Sequence, residues 1–545
     1  MTMRPKTDTL NRLLHKTRVL SLQTLNTRFL LKSKIEDLLS PFPVSLLPAN
    51  PELGQAWLSG DYPLKGGILK NQSQPPFDCP PPNAEWLAHL YAFDWLTHVC
   101  ALEHPHADAL VKHAVQHWTS RKPFHDATAW APEIVARRFI SLSACSPHIL
   151  PLLTSQGRID FTHSLNIDAR YLAKSTALAQ DGLPRLISCA GYVFSTFALN
   201  NGTVRLNHAM SQLTRELKRQ VQPDGLHVSR APDAMMGVLP VLLTIQDELK
   251  RRQLSVPPVV SESIKQAGAA LKFMQHRDGH LSVFQGGLEL GPFTGASKPY
   301  LNALIKLCGI HRNPKHGYLP AGQYYRVEAG KTLLLMDAGA GRTADSHLAP
   351  TAFEMSRGGH RVIVNCGPNY VHGENWRQAS RQAAAHSVLG LAAPVPEGQK
   401  VKVTSKRLED QNAVWLETSH DMYKSSHGTE VHRRLFMHHS GADLRGEELV
   451  MPAGSTPLKP VAFALRLHLH PNIKASAVGS GNTILLALPN GEGWQFTAGG
   501  GAALSLDKSV YMGQNGTPRQ CQQIVLSGHA SADGLVLKWG LKLMR

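Results

Sequence analysis

Long apolar runs and paired cysteines are both missing from this sequence. It contains no run of about 18 consecutive apolar residues, so no transmembrane helix is predicted. The seven cysteines are widely dispersed and include no CxxC pair, which is typical of reduced, buried thiols and not of a disulfide framework. The N-terminal segment is basic, but frequent polar residues interrupt its apolar positions, unlike a secretory signal peptide. We therefore expect a cytoplasmic protein, with association with the cell envelope as the alternative.

Acidic residues are also in short supply. The chain has 57 Lys and Arg against 40 Asp and Glu, which gives a net charge of +17. A positive field favours anionic partners such as nucleic acids, anionic lipids or acidic glycans, although solubility alone could account for it. The basic residues are scattered, and the sequence lacks zinc-finger spacing, RNP-like aromatics and a basic helix followed by heptads. Nucleic acid is therefore not the expected partner.

The hydrophobic periodicity changes once along the chain. From residue 84 to 310, apolar residues recur at spacings of three and four, and short turns separate the segments, which predicts consecutive helices. From residue 311 to 545, short β-rich segments follow one another without helices between them. We therefore predict a basic segment and loop region at 1–83, a helical domain at 84–310 and an antiparallel β domain at 311–545.

One of the predicted strands, VAFALRLHLH at 461–470, alternates cleanly. Its odd-numbered apolar residues are expected to face a core, and Arg466, His468 and His470 to face solvent, because side chains alternate across a strand. The HRR sequence at 432–434 is predicted to be solvated in the same way.

The segment GYLPAGQYYRVEAGKTLLLMDAGAGRTADSHLAPTAFEMSRGGHRVIVNCG, followed by NWRQASRQAAAHSVLGL, resembles the heparinase II/III-like family, especially its uncharacterised bacterial branch. Later segments, such as EVHRRLFMHHSGADLRGEELV and QQIVLSG, fit the same family. The resemblance covers the chain from about residue 130 onward. It implies an α+β multidomain protein in which an N-terminal incomplete (α/α) toroid joins a C-terminal antiparallel β-sandwich. It also implies a polysaccharide lyase that cleaves an acidic, uronate-containing glycan by β-elimination, with the site in a groove between the two domains.

Such an elimination needs a base for the C5 proton, a group that stabilises the enolate and an acid for the leaving oxygen. The resemblance points to two histidines, and the nearby loops and the start of the β domain offer further imidazole, guanidinium and phenol groups. The candidate catalytic residues are His347, His386, His227, Arg230 and Tyr324. Because guanidinium groups are planar and always charged, arginines are natural binders of carboxylate or sulfate. The candidate substrate-binding residues are Arg377, Arg381 and His280.

The resemblance further implies a metal trio, since zinc-bearing members bind a structural zinc ion through two histidines and an aspartate. The corresponding residues here are His347, Asn365 and His386. A neutral amide is a poor zinc ligand, so the alternative is that the two histidines are hydrogen-bonded structural residues. The predicted reaction requires no cofactor.

The sequence departs from characterised lyases of the family at three places. Their Asn–His pair on one helix has no counterpart here, Met235 and Met236 occupy the region of a family tyrosine, and Asp345 replaces a catalytic histidine. These departures favour the alternative function, a non-catalytic protein that binds an acidic glycan or a cell-envelope polysaccharide on the same scaffold. The identity of the glycan and the oligomeric state are left open.

Overall fold

The computed structural model describes residues 35–544, apart from short gaps at residues 41, 44–45, 47, 122–125, 201, 292–295, 314–316, 343–345, 370–372, 397, 455–457, 480–481 and 515. The basic N-terminal segment up to residue 34 and Asp345 therefore lie outside the described residues. The chain divides into two compact units. The first comprises Met1–Val221, Met235–Ala267 and Pro292–Gly309, and the second comprises Gln222–Ala234, Gly268–Gly291 and Ile310–Arg545.

The first unit is built mainly from helices. Their bounds are α1 Pro51–Leu58, α2 Ala84–Ala92, α3 Leu96–Cys100, α4 Pro105–Arg121, α5 Pro132–Ala144, α6 Ser146–Leu152, α7 Ser155–Ser175, α8 Leu183–Ala198, α9 Gly202–Gln220, α10 Leu239–Arg251, α11 Pro258–Met274 and α12 Lys298–Leu307. Helix α11 continues from the first unit into the second. Three-residue 3₁₀ turns lie at Pro76–Asp78 and Thr176–Leu178, and a short hairpin pairs β1 Tyr62–Leu64 with β2 Gly67–Leu69. None of the described helices is long and apolar enough to cross a membrane.

Close packing around α5 holds the helical unit together. Gly191 of α8 lies so near α5 that an added Cβ would stand 2.5 Å from the Ala136 Cβ. On another face, Arg138 of α5 makes a bidentate pair with Asp168 of α7, with Nε–Oδ2 at 2.9 Å and Nη2–Oδ1 at 2.8 Å. A buried charge is tolerated when it is paired in this way, and the guanidinium also stacks 4.1 Å from the Trp118 ring.

The second unit contains two antiparallel sheets. The strands are β3 Tyr318–Leu319, β4 Tyr324–Ala329, β5 Thr332–Asp337, β6 Phe353–Arg357, β7 His360–Val364, β8 Leu389–Leu391, β9 Val403–Glu409, β10 Ala413–His420, β11 Thr429–His438, β12 Asp443–Pro452, β13 Val461–Leu469, β14 Lys474–Val478, β15 Thr483–Ala487, β16 Gly493–Gly499, β17 Ala503–Tyr511, β18 Arg519–Ala530 and β19 Leu535–Leu543. The eight-stranded sheet has the order β14-β15-β16-β19-β12-β11-β10-β9. The nine-stranded sheet has the order β17-β18-β13-β7-β6-β5-β4-β3, and β8 also pairs with β13. Short helices lie at α13 Glu374–Arg381 and α14 Lys424–His427, and a 3₁₀ turn lies at Ala383–Ala385. A further 3₁₀ turn, Ala234–Gly237, begins at the last residue of a segment of this unit and continues in the first unit.

Both sheets contribute to one hydrophobic core. Phe353 of β6, in the nine-stranded sheet, stacks on Trp539 of β19, in the eight-stranded sheet, at a centroid distance of 6.0 Å. Phe496 of β16, the neighbouring strand of β19, stacks on the same Trp539 at 6.0 Å. The buried cluster includes the alternating residues of β13, as the sequence predicts: Val461, Phe463, Leu465, Leu467 and Leu469. Helices in the N-terminal half and antiparallel strands in the C-terminal half are thus confirmed, whereas closure of the helices into a toroid stays a prediction.

The prediction of a solvated polar face was wrong at two of its positions. His468 is 1% exposed because its ring contacts Cys366 and Ser509, with Nδ1 2.8 Å from the Ser509 Oγ. Arg433 is fully buried because its guanidinium pairs with Glu448, with Nε–Oε1 at 2.8 Å. Its neighbours His432 and Arg434 are exposed to solvent at 35% and 52% of their side chains.

Candidate functional site

Arg230 lies in the loop of the second unit that follows α9, with a left-handed backbone (φ +67°) that is unusual for a residue other than glycine. Its guanidinium is fully buried and forms an ion pair with Asp337, the last residue of β5. The Nε donates to the Gly322 carbonyl oxygen at 2.8 Å, and Nη1 donates to the Ala340 carbonyl oxygen at 3.0 Å. Protein groups on three sides therefore engage this guanidinium.

The phenol of Tyr324 faces the same arginine. Its hydroxyl donates to the Arg230 carbonyl oxygen at 3.0 Å, and its ring lies 4.7 Å from the guanidinium carbon. The side chain is fully buried, and this burial, followed by the Asp337 carboxylate, raises the pKa of Tyr324 well above its ordinary value. His227 belongs to the same loop as Arg230, and its Nδ1 lies 2.8 Å from the Ser229 Oγ.

Gln285 links this arginine centre to His347. Its Nε2 donates to the Asp337 Oδ2 at 2.7 Å, and its Oε1 accepts the His347 backbone N–H at 3.1 Å. Asp337 also accepts the backbone N–H of Gly339 at 2.9 Å. The predicted residues Arg230, Tyr324 and His347 thus belong to one buried hydrogen-bonded network.

His347 and His386 form a ring pair, with centroids 4.5 Å apart and planes at 43°. The His386 Nε2 donates to the Ser380 carbonyl oxygen at 3.2 Å, which fixes the orientation of that ring. Burial lowers the pKa of His386 to about 4. Burial, then the neighbouring His386 and Arg381, lowers the pKa of His347 well below its ordinary value. Both imidazoles are therefore neutral at pH 7.

Asn365, the third residue of the inferred metal trio, is engaged by protein groups. Its Nδ2 lies 3.2 Å from both the Val283 carbonyl oxygen and the Glu354 Oε1, and its Oδ1 accepts the Ser387 N–H at 3.0 Å. Across the part of the chain that the structure describes, no three His, Cys, Asp or Glu side chains come together in a way that could hold a metal ion. The residues present at this position do not fit a zinc site, so we derive no role for zinc.

The candidate substrate-binding residues fall into two groups, because Arg377 and Arg381 lie one turn apart on α13 whereas His280 lies elsewhere. Arg377 pairs with Glu374 on the exposed face of α13, with Nε–Oε2 at 2.7 Å. The Arg381 Nε donates to the Ser346 carbonyl oxygen at 3.3 Å, next to the histidine pair. His280 belongs to a separate cluster, with its Nδ1 3.3 Å from the Asp278 Oδ2.

Sequence reasoning missed the residues that hold the network together, Asp337 and Gln285. The signal for Asp337 is a carboxylate that ends the apolar strand TLLLMD, where an uncompensated charge would be costly. The position of the Arg230 guanidinium also requires a glycine at residue 339, because an added Cβ there would stand 2.6 Å from the Arg230 Nη2. No local pattern marks Gln285.

Residues 311–540 match the family model described as Heparinase II/III-like, C-terminal. The C-terminal part of this chain is therefore similar to the C-terminal domain of the heparinase II/III-like family. The chain as a whole is also similar to FtsZ-localized protein C of Caulobacter vibrioides, with 28% identity over 531 residues. This match covers 92% of this chain and 90% of that protein.

Solved structures share the fold at low sequence identity. Heparinase III superposes with a TM-score of 0.72 and 12% identity, over 96% of this chain and 89% of that one. A mutant of heparan sulfate lyase HepC from Pedobacter heparinus superposes with a TM-score of 0.62 and 15% identity, over 97% and 88% of the two chains. At these identities the likeness establishes the fold alone.

Proposed function

We propose that this protein binds an acidic glycan without cleaving it, on the scaffold of a polysaccharide lyase. One observation carries the proposal: the side chains that would transfer protons or stabilise charge are buried, and those of Arg230, Tyr324 and His386 are hydrogen-bonded to protein groups. Arg230 and Tyr324 are both 0% exposed, and His347 and His386 are 5% and 1% exposed. A base must come within hydrogen-bond reach of the proton that it removes, and these positions do not favour that approach.

The electrostatics of the network point the same way. A guanidinium stabilises a developing enolate through positive charge that the protein has not already neutralised, whereas the Arg230 guanidinium is paired with Asp337. The raised pKa of Tyr324 disfavours the phenolate that would act as a base. Arg230 and Tyr324 therefore do not supply a general acid and base with pKa values near the working pH.

The charge of the chain supports an anionic ligand. The net charge of +17 attracts polyanions over distances of about a Debye length, roughly 8 Å at physiological salt. Binding that depends on this field should weaken as salt is added. The lyase fold supports a glycan as the class of polyanion, since heparan sulfate lyase shares the fold.

Titration calorimetry with heparan sulfate, polygalacturonate and alginate, and with neutral dextran as the control, tests the proposal. We expect binding to at least one acidic glycan, none to dextran, and weaker binding at higher salt. The same mixtures are monitored for the ultraviolet absorbance of the unsaturated elimination product, which should not accumulate. Product that forms in the wild type but not in His347→Ala would overturn the non-catalytic proposal in favour of the lyase. Failure to bind any acidic glycan would overturn both.

A second candidate function is co-localisation with FtsZ in the cell. The observation that favours it is the match to FtsZ-localized protein C over 92% of this chain. A fluorescent fusion of the full chain, imaged with labelled FtsZ in the source cells, should coincide with FtsZ, whereas the fluorescent protein alone should not. A fusion that is distributed uniformly would contradict this candidate and leave glycan binding untouched.

A further inference from the structure

The second unit contains an open cavity of about 240 Å³ that is separate from the buried network of Arg230 and His347. Its wall includes the loop between α11 and α12, the start of β7, the segment after β13 and the start of β18. The lining side chains that matter for its chemistry are Asp278, His280, Glu289, Arg361, His470 and Arg519. Pockets for drug-sized ligands occupy roughly 300–1,000 Å³, so this volume suits a single small ring.

The floor of the cavity is a buried arginine between two carboxylates. Arg361 is 1% exposed, its Nε lies 2.9 Å from the Asp278 Oδ2, and its Nη1 lies 3.4 Å from the Glu289 Oε1. The Nη2 donates to the Leu281 carbonyl oxygen at 2.6 Å, and the Tyr511 hydroxyl donates to Glu289. These contacts fix the positions of both carboxylates.

The two carboxylates stay ionised over a wide range of pH. Burial raises the pKa of Asp278 and of Glu289, but Arg361 together with hydrogen bonds from His280 to Asp278 and from Tyr511 to Glu289 more than offsets it, so both pKa values lie below their ordinary values. Ionised carboxylates accept hydrogen bonds only, so the floor offers fixed acceptors for hydroxyl groups.

The rim supplies donors and positive charge. The Arg519 side chain is exposed, and its Nη1 donates to the Gln514 Oε1 at 3.3 Å. The His280 side chain is 29% exposed beside Asp278. Burial, then Arg361, lowers the pKa of His470 to about 4, so this ring is neutral at pH 7 and can accept or donate one hydrogen bond.

The surroundings of the Arg361 cluster differ from those of a purely structural ion pair in the same unit. Arg433 and Glu448 are also buried and paired, with Nε–Oε1 at 2.8 Å, but they lie inside the shared core of the two sheets, between strands β11 and β12. The Arg361 cluster instead borders a cavity in which exposed cationic and imidazole groups surround the fixed acceptors. Stability alone does not require that arrangement.

We propose that this cavity binds one acidic sugar unit of a glycan. Hydroxyl groups of the ring donate to Asp278 and Glu289, and the carboxylate of the sugar pairs with Arg519 and His280. This inference rests on the proposed function, since it names the site and the chemical class of the bound unit. A uronate fits the combination better than a neutral hexose, because the exposed guanidinium of Arg519 forms no ion pair with any described residue and a carboxylate would supply its counter-charge.

Calorimetry on the full chain with tetragalacturonate tests the site, with maltotetraose as the neutral probe and a heparan sulfate oligosaccharide as the sulfated one. Arg519→Gln removes one exposed charge, so it should fold normally and raise the Kd for tetragalacturonate about tenfold. The matched control is Arg445→Gln, which removes an exposed arginine that pairs with Asp443 on the eight-stranded sheet and does not line the cavity. The control should leave the Kd within about twofold of the wild type.

Each outcome separates the site from the function. A raised Kd in Arg519→Gln alone supports the cavity. Equal Kd values for Arg519→Gln and the wild type would overturn the cavity and leave the proposed function standing. Equal losses in Arg519→Gln and Arg445→Gln would also overturn it, because net charge alone would then account for binding. Equal affinity of the wild type for maltotetraose would overturn the assignment to an acidic sugar, and no binding to any acidic probe would overturn the proposed function itself.

Discussion

Arg230 and Asp337 form an ion pair in which both side chains are shielded from solvent, with exposures of 0% and 1%. The same carboxylate accepts hydrogen bonds from the Gln285 side chain and the Gly339 backbone. Asp337 therefore fastens two separate loops to the end of β5. Arg230, which the sequence marks as a catalytic candidate, thus has a partner inside the protein.

The first prediction concerns this ion pair. Arg230→Met leaves the Asp337 carboxylate buried without its counter-charge, and removal of one partner of a buried pair costs about 3–5 kcal/mol. We expect the free energy of unfolding in urea to fall by that amount. The matched control is Arg434→Met, an arginine 52% exposed that pairs with Glu447 on a sheet surface, where a loss of at most about 1 kcal/mol is expected.

The double variant Arg230→Met, Asp337→Leu sharpens this test. Replacement of both charges by apolar groups removes the unpaired carboxylate, so part of the lost stability should return. Similar unfolding free energies for Arg230→Met and Arg434→Met would contradict the structural role of Arg230.

The second prediction concerns the close approach of Gly339 to the guanidinium. An added Cβ would lie 2.6 Å from the Arg230 Nη2 and 2.8 Å from the Gln323 Oε1. The guanidinium cannot move away without losing its partners, so we expect Gly339→Ala to cost about 1–3 kcal/mol in urea unfolding. Gly499→Ala is the control, because no atom lies within 4 Å of its added Cβ. Equal stability of the two variants would contradict the argument.

The fold was largely readable from the sequence because its signals are local. Val461 and Phe463 alternate with polar residues in β13, and side chains of a strand point to opposite faces, so one buried face follows directly. His468 escaped the same reasoning because β13 lies inside the nine-stranded sheet, where Cys366 and Ser509 cover its second face. Alternation identifies a buried face but does not tell whether other parts of the chain cover the opposite one.

The candidate site was less readable because its contacts are not local. Arg230 and Asp337 are 107 residues apart, and Gln285 and Asp337 are 52 apart. Residue type suggested that Arg230 and Tyr324 have chemistry to offer, whereas only the tertiary contacts reveal that each is bonded to the other. The cavity at Arg361 combines segments from five parts of the chain, and of its side chains only His280 was among the candidates.

The third prediction concerns pH. Burial lowers the pKa of folded His386 from 6.5 to about 4, so the unfolded chain binds this proton more readily. The contribution of the neutral ring is complete above about pH 6.5 and is lost as the pH falls toward 4, at about 1.4 kcal/mol per pH unit. His386→Gln carries no titrating group and should lose less stability between pH 6.5 and 4.5 than the wild type does.

The measurement for this pH prediction is urea unfolding at several pH values, compared between the two proteins. The buried His420, whose pKa is lowered to about 3 without any contribution from His386, contributes equally to both proteins. The difference between the two profiles therefore reports His386 together with its effect on His347 and His468, whose pKa values it helps to lower. Parallel profiles for wild type and variant would contradict a neutral, buried His386.

The last prediction separates a structural from a catalytic Tyr324. Tyr324→Phe removes the hydroxyl that donates to the Arg230 carbonyl oxygen at 3.0 Å and keeps the ring against the guanidinium. Loss of one such hydrogen bond costs about 0.5–1.5 kcal/mol, and a buried oxygen left without its donor adds to that, so unfolding in urea should shift to lower concentration. Glycan affinity should stay within about twofold of the wild type, since the phenol is fully buried.

Tyr325→Phe is the matched control for this prediction. The Tyr325 hydroxyl donates to the Oγ of the half-buried Ser405 at 3.2 Å, so removal of this hydroxyl should cost less unfolding free energy than removal of the Tyr324 hydroxyl. A Tyr324→Phe protein that unfolds like the wild type but binds glycan tenfold more weakly would place the phenol at the ligand and contradict its assignment to the interior.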